Sequence, residues 1–172
     1  VPSSPAPAAA DRLAAAFGGL EAGYTFDTTI AVGGKVATHA HGRSVDGSSD
    51  FVVESGGASI TYRTIPPRSW VKQPGKAWVA VDSGVPDGDP LDALASPTAI
   101  EVLADGPDGL RLRASYPAAA LGLTSTEPVT VTLTVGGDGS VGATYTVPTS
   151  AGPATSETSL RSAPGQEPIV AP

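Results

Sequence analysis

Two histidines occur in 172 residues, and they stand together as His39-Ala40-His41. Residues two apart on a strand project to the same side, so both imidazoles share one face, with Asp27 a possible third ligand across the preceding hairpin. Such a set would be an open zinc site, with a coordination position left for water or substrate. No other histidine and no cysteine exists to close the shell. The plainer reading is a solvated polar face, and the expectation is that His39, His41 and Asp27 bind no metal.

Other motifs fail on context. Asp82, Asp87, Asp89 and Asp92 crowd one acidic segment, but the D-x-D-x-D-G run and twelfth-position glutamate of a calcium loop are missing. Turn and cap chemistry accounts for Asp87-Gly88 and Asp89. Gly137-Asp138-Gly139-Ser140-Val141-Gly142 matches G-x-G-x-x-G in letters, yet a β run follows it where a dinucleotide site needs a helix. It reads as a hairpin turn. There is no G-x-S-x-G elbow, no thiol, and no carboxylate pair that recommends itself. The chain is expected not to be an enzyme and to need no cofactor.

Composition points the same way. A net charge of −7 lacks the basic stripe that nucleic-acid phosphates demand. The ten basic residues are scattered, which disfavours a polybasic membrane patch. Twenty-one glycines and 17 prolines favour turns over long helices, and the length suits one domain. Asparagine is absent, so N-linked glycosylation is excluded.

These residues must be positioned by short elements. Residues 1–10, VPSSPAPAAA, have the composition of a flexible tether. Asp11 can cap a helix to about Leu20, with Leu13, Phe17 and Leu20 on one stripe. From Tyr24 the period becomes two: Tyr24, Phe26, Thr28, Ile30 and Val32 share a face. A three-residue loop at Gly33-Gly34-Lys35 sets Val32 opposite Val36, Thr29 opposite His39 and Asp27 opposite His41. A two-residue loop would set Phe26 opposite His41, mixing apolar with polar.

Further strands are expected at Phe51–Ser55, Ser59–Ile65, around Trp70 and Trp78, Ala99–Leu103, Leu110–Tyr116, Val129–Val135, Val141–Val147 and Thr155–Arg161. Asp89-Pro90 looks like a helix start running to about Ala95, and 117–122 like a second helical turn. By default the aromatic set, including Trp70, Trp78, Tyr116 and Tyr145, is an ordinary core. Large side chains are sparse, however, and a curved sheet under a few short helices leaves a thinly filled hollow that invites an apolar ligand.

Assembled, the chain resembles the LppX/LprG group of actinobacterial lipoproteins, fold-level relatives of the carrier LolA. The features that carry the resemblance are Leu13 to Leu20 before Tyr24-Thr-Phe, the hairpin at Gly33-Gly34-Lys35, Ile60-Thr-Tyr through Trp70 to Trp78-Val-Ala-Val-Asp82, Asp89-Pro90-Leu91, and Gly165 to Pro172. It implies an α+β fold, a strongly curved antiparallel half-barrel with short helices over its concave face, in one domain over 11–172. It implies export to the cell envelope, at the outer face of the cytoplasmic membrane, with a lipidated cysteine expected upstream of Val1. It also implies a lipid or acylated glycolipid as ligand.

The expected function is therefore to bind or carry a lipid or other amphiphile without catalysis. The expected cavity lining is Leu13, Phe17, Leu20, Phe26, Ile30, Phe51, Val53, Ile60 and Tyr62, with contributions from later strands. The alternative is a surface or sensory protein-interaction module on the same fold, with its core filled.

Overall fold

The computed structural model describes residues 5–86 and 89–172. Eleven strands form one antiparallel sheet: β1 (Tyr24–Val32), β2 (Lys35–Val45), β3 (Ser48–Ser55), β4 (Ala58–Ile65), β5 (Arg68–Lys72), β6 (Val79–Val81), β7 (Ala99–Gly106), β8 (Gly109–Tyr116), β9 (Val129–Gly136), β10 (Val141–Thr149) and β11 (Gly152–Ser162). Their order is β6-β5-β4-β3-β2-β1-β11-β10-β9-β8-β7. Two meanders thus run in opposite directions from a shared seam where β1 pairs with β11. The sheet is open, with β6 and β7 at its edges. Three short helical pieces accompany it: α1 (Pro5–Gly18), α2 (Pro90–Leu94) and a 3-10 turn at Ala118–Leu121. The described residues are thus mostly sheet, less evenly mixed than the α+β class expected.

Alternation decides which face is packed. On β8 and β9, Leu110, Leu112, Ala114, Tyr116, Val129, Val131, Leu133 and Val135 are all buried, while Arg111, Arg113, Thr130 and Thr134 between them are exposed. The inner face continues through Val141, Ala143, Leu160, Tyr24, Phe26 and Phe51, and α1 closes over it with Ala9, Leu13, Phe17 and Leu20 in the same core.

Two expectations near the N-terminus change. The helix begins at Pro5, not at Asp11, and Ala9 within it is 2% exposed. Of the supposed tether, 5–10 is thus helical, and residues 1–4 lie outside the described residues. The physical reason is that proline in a first helical turn loses no hydrogen bond, and alanine is the strongest helix former. Asp11 sits inside the helix instead of capping it.

The β1–β2 turn also differs. Gly33 and Gly34, both with positive φ, make a two-residue turn that pairs Val32 with Lys35, not Val36. A register shift then skips Ala37, between the pairs Ala31–Val36 and Ile30–Thr38. The bulge restores the expected pairing of Thr29 with His39 and Asp27 with His41. The two faces of the hairpin are therefore consistent at His39 and His41 although the turn has two residues, not three.

Candidate functional site

Burial along β1 falls from Tyr24 and Phe26, both buried, to Thr28, Ile30 and Val32, half-buried. On β3 it falls from Phe51 to Val53 to exposed Ser55. The inner face therefore loses its cover toward the hairpin tips, and a cleft of about 490 Å³ opens there. Its sheet side is built from Phe26, Thr28 and Ile30 of β1, Thr38 and Ala40 of β2, Phe51 and Val53 of β3, Ala143 and Tyr145 of β10, and Ser156 and Thr158 of β11. Its roof is Pro86, Pro90, Ala93 and Leu94 around α2, with the 3-10 turn and Gly122.

No charged side chain lines the cleft among the described residues. Its polar groups are hydroxyls, and those of Thr28 and Thr158 satisfy each other across the β1–β11 seam at 2.9 Å. A volume of this size falls in the roughly 300–1,000 Å³ range of small-molecule sites, which are apolar with a few placed polar groups.

The roof is fixed to the sheet at both ends of α2. Asp89 caps the helix, accepting from the Asp92 backbone N–H at 3.2 Å, and the Tyr24 hydroxyl donates to Asp89 Oδ1 at 2.5 Å. At the other end, the Tyr116 hydroxyl donates to the Leu94 carbonyl at 2.9 Å. Burial and the adjoining Asp89 carboxylate push the Tyr24 phenol above its ordinary range, and burial pushes Tyr116 up to about 12. Both phenols therefore remain donors at physiological pH.

Of the nine residues expected to line a cavity, Phe26, Ile30, Phe51 and Val53 do so. Leu13, Phe17 and Leu20 are buried in the closed core beneath α1. The helix lies against β7, with Arg12 paired to Asp105, so its apolar stripe covers the β7 side of the sheet and stays clear of the cleft. Tyr62 stacks on Phe51, ring centroids 5.3 Å apart, and packs on the core. Ile60 is half-buried on β4 and is not part of the lining. The contribution expected from later strands comes from Ala143 and Tyr145 of β10 and Ser156 and Thr158 of β11; the sequence does not name these residues, because the β1–β11 seam that brings their strands to the cleft leaves no local pattern.

Both tryptophans belong to the other face. Trp70 pairs with Arg63 and with Ala80, and the Trp78 ring receives the Arg63 guanidinium at 4.8 Å and the Lys72 ammonium at 5.8 Å. Arg63 also binds Asp50 at 2.8 Å and the Val170 carbonyl at 2.9 Å, while Arg43 holds the Glu167 carbonyl at 2.8 Å. These bonds tie the closing segment to the outer face. They account for the tryptophans as outer-face packing instead of cavity wall.

The polar face of β2 is also outer. His39 Nε2 lies 2.9 Å from Asp27 Oδ2, and its Nδ1 lies 3.2 Å from Glu54 Oε2. The Asp27 and Glu54 carboxylates, Asp27 foremost, raise the pKa of this imidazole above its ordinary 6.5. Asp27 stands opposite His41 in the ladder, yet its carboxylate reaches diagonally to His39. The His41 ring stacks on His39 at 4.9 Å. Glu54 was not anticipated; the β2–β3 register, which sets it opposite His39, is the signal that finds it.

The remaining motifs behave as turns. Asp138 Oδ1 accepts from the Ser140 backbone N–H at 3.0 Å and from its hydroxyl at 2.6 Å. Those bonds hold its carboxyl below the usual range, and Gly139 has φ 80°. Of the acidic segment, Asp87 lies outside the described residues.

No protein-family model matches the chain, and no curated protein matches it. Among solved structures it is similar to the crystal structure of the lipoprotein LppX from Mycobacterium tuberculosis. The TM-score is 0.59, and the match covers 98% of this chain and 100% of that one at 11% sequence identity. At that identity the two share a fold.

Proposed function

We propose that this protein binds or carries a lipid or other amphiphile in the inner cleft, at the cell envelope, without catalysing a reaction. The observation that carries the reading is the uncharged cleft between β1–β3, β10–β11 and α2, on a fold similar to that of a lipoprotein. Export, membrane anchoring and the acyl ligand belong to the same proposal.

Topology supports a curled, half-barrel sheet. Ten inter-strand steps would separate the edges of a flat sheet by about 48 Å. The connection from β6 to β7, residues 82–98, includes α2 and would reach about that far only if pulled taut. The bend at 82–83 shortens that reach, so the sheet curls toward the connection and the inner face becomes a trough. Acyl chains entering the trough gain about 0.8 kcal/mol per buried methylene, which offsets the cost of association. The paired hydroxyls of Thr28 and Thr158 suit an ester or hydroxyl group better than an ionised one, because among the described residues of the lining none neutralises charge.

The test is native mass spectrometry of the chain purified from a lipid-containing host, followed by organic extraction. Bound acyl species retained by the wild type and lost in Ile30→Glu, with circular dichroism unchanged, would support the proposal. A wild type free of lipid that also takes up none from detergent-solubilised extract would sink it and favour the protein-interaction alternative.

A further inference from the structure

We propose that the outer face carries a divalent transition-metal site, with His39 Nδ1, a ring nitrogen of His41 and a Glu54 carboxylate oxygen as ligands and Asp27 as the outer partner that orients His39. The site is independent of the lipid cleft, which lies on the opposite face of the same strands.

The three residues offer ligand atoms that all lie within 4.8 Å of one another. His39 Nδ1 and Glu54 Oε2 stand 3.2 Å apart, close to the roughly 3.3 Å that separates two ligands on a tetrahedral zinc with bonds near 2.0–2.1 Å. A cation can thus take the place of the shared proton with little movement of either group. His41 has the furthest to travel, and it is exposed, so its ring can rotate inward.

The second observation is the other edge of the His39 ring. Its Nε2 meets Asp27 Oδ2 at 2.9 Å, the carboxylate–histidine relationship that fixes the tautomer of a metal-bound imidazole and raises its basicity. With Nε2 committed to Asp27 as donor, Nδ1 is the nitrogen that gives up its proton and turns a lone pair to the metal between Glu54 and His41. Binding releases the Nδ1 proton to solvent. Three ligands come from two adjacent strands and the orienting carboxylate from a third, so the sheet ladder sets the spacing. Two imidazoles and a carboxylate suit zinc, nickel or copper and leave one coordination position open. Arg161 shares the groove with Asp27 and His41, a cation beside the outer partner.

The experiment uses the untagged full chain, stripped with chelator and titrated calorimetrically with zinc chloride at neutral pH. One equivalent should bind, His41→Ala should weaken binding at least tenfold, and Asp27→Asn should weaken it by about 10–100-fold. The thermal midpoint without metal should be unchanged in His41→Ala, whose exposed ring stacks on His39. Nitrogen-15 spectra of the wild type give a reading that needs no variant: zinc should shift His39 Nδ1 and leave Nε2 protonated. Equal affinity in wild type and His41→Ala, metallation at Nε2, or no binding at all would overturn the proposal and leave His39 as an ion-paired surface imidazole.

Discussion

Tyr24 and Asp89, sixty-five residues apart in sequence, meet in a 2.5 Å hydrogen bond that ties the first residue of β1 to the N-cap of α2. Tyr116 repeats the arrangement at the far end of the helix through the Leu94 carbonyl. A five-residue helix cannot stand alone, so these two phenols hold the roof of the cleft in place. Tyr24→Phe should cost about 1–2 kcal/mol and Tyr116→Phe about 1 kcal/mol, since each leaves a partner short of a bond. Urea denaturation measures the loss. Amide exchange at Ala95, which bonds to Asp92, should accelerate in both variants; unchanged exchange would mean that α2 is held by packing alone.

What the sequence made legible was local. Asp89-Pro90 announced α2, alternation gave nearly every strand, and face consistency paired Asp27 with His41. The β1–β11 seam was not legible, because it joins the first strand to the last and no local pattern records such a pairing. Four of the cleft's residues follow from that seam, so the sequence yields a contribution from later strands but not the residues that make it. The tryptophans misled in the opposite direction. A large aromatic ring reads as core, but these two pack against Arg63 and Lys72 on the outer face.

Gly42 shows how tightly the inner face is fitted beside the cleft. It stands between Phe26 and Phe51 in the ladders, whose rings lie 6.0 Å apart. A Cβ at this position would come within 2.4 Å of the Phe51 Cβ and of the Asp50 carbonyl oxygen. Neither is the end of a flexible side chain, so strands must shift. Gly42→Ala should destabilise the fold by about 1–3 kcal/mol, read as a lower urea midpoint. A neutral result would show that β2 and β3 can separate locally.

The His39 cluster predicts a pH dependence, best measured with chelator present. The folded imidazole titrates above its ordinary 6.5 because Asp27 and Glu54 hold the charged form. A raised value means that this stabilisation is fully present below the unfolded value and fades as pH rises through the folded one. The urea midpoint of the wild type should therefore fall more than that of His39→Gln as pH rises from about 6 upward. Proton spectra should place the His39 titration above that of the same ring in Asp27→Asn. Coincident titrations would mean that the Asp27 contact does not persist in solution.

The cleft itself can be tested by filling it. Ala143 is 4% exposed and faces the cleft from β10 beside Tyr145, where a larger apolar side chain has open volume on one side. Ala143→Phe would occupy space now available to a ligand, so it should reduce retained lipid severalfold. The fold should tolerate it, with a loss below the roughly 1–3 kcal/mol of a true overpacking substitution. Leu112→Phe is the contrast, since Leu112 is 0% exposed in the closed core and has no such volume beside it. That variant should lose stability by the full overpacking amount, and at temperatures where it stays folded its lipid content should match the wild type. If both variants lose stability equally and neither changes lipid content, the inner face is filled in solution and the cleft is not the binding site.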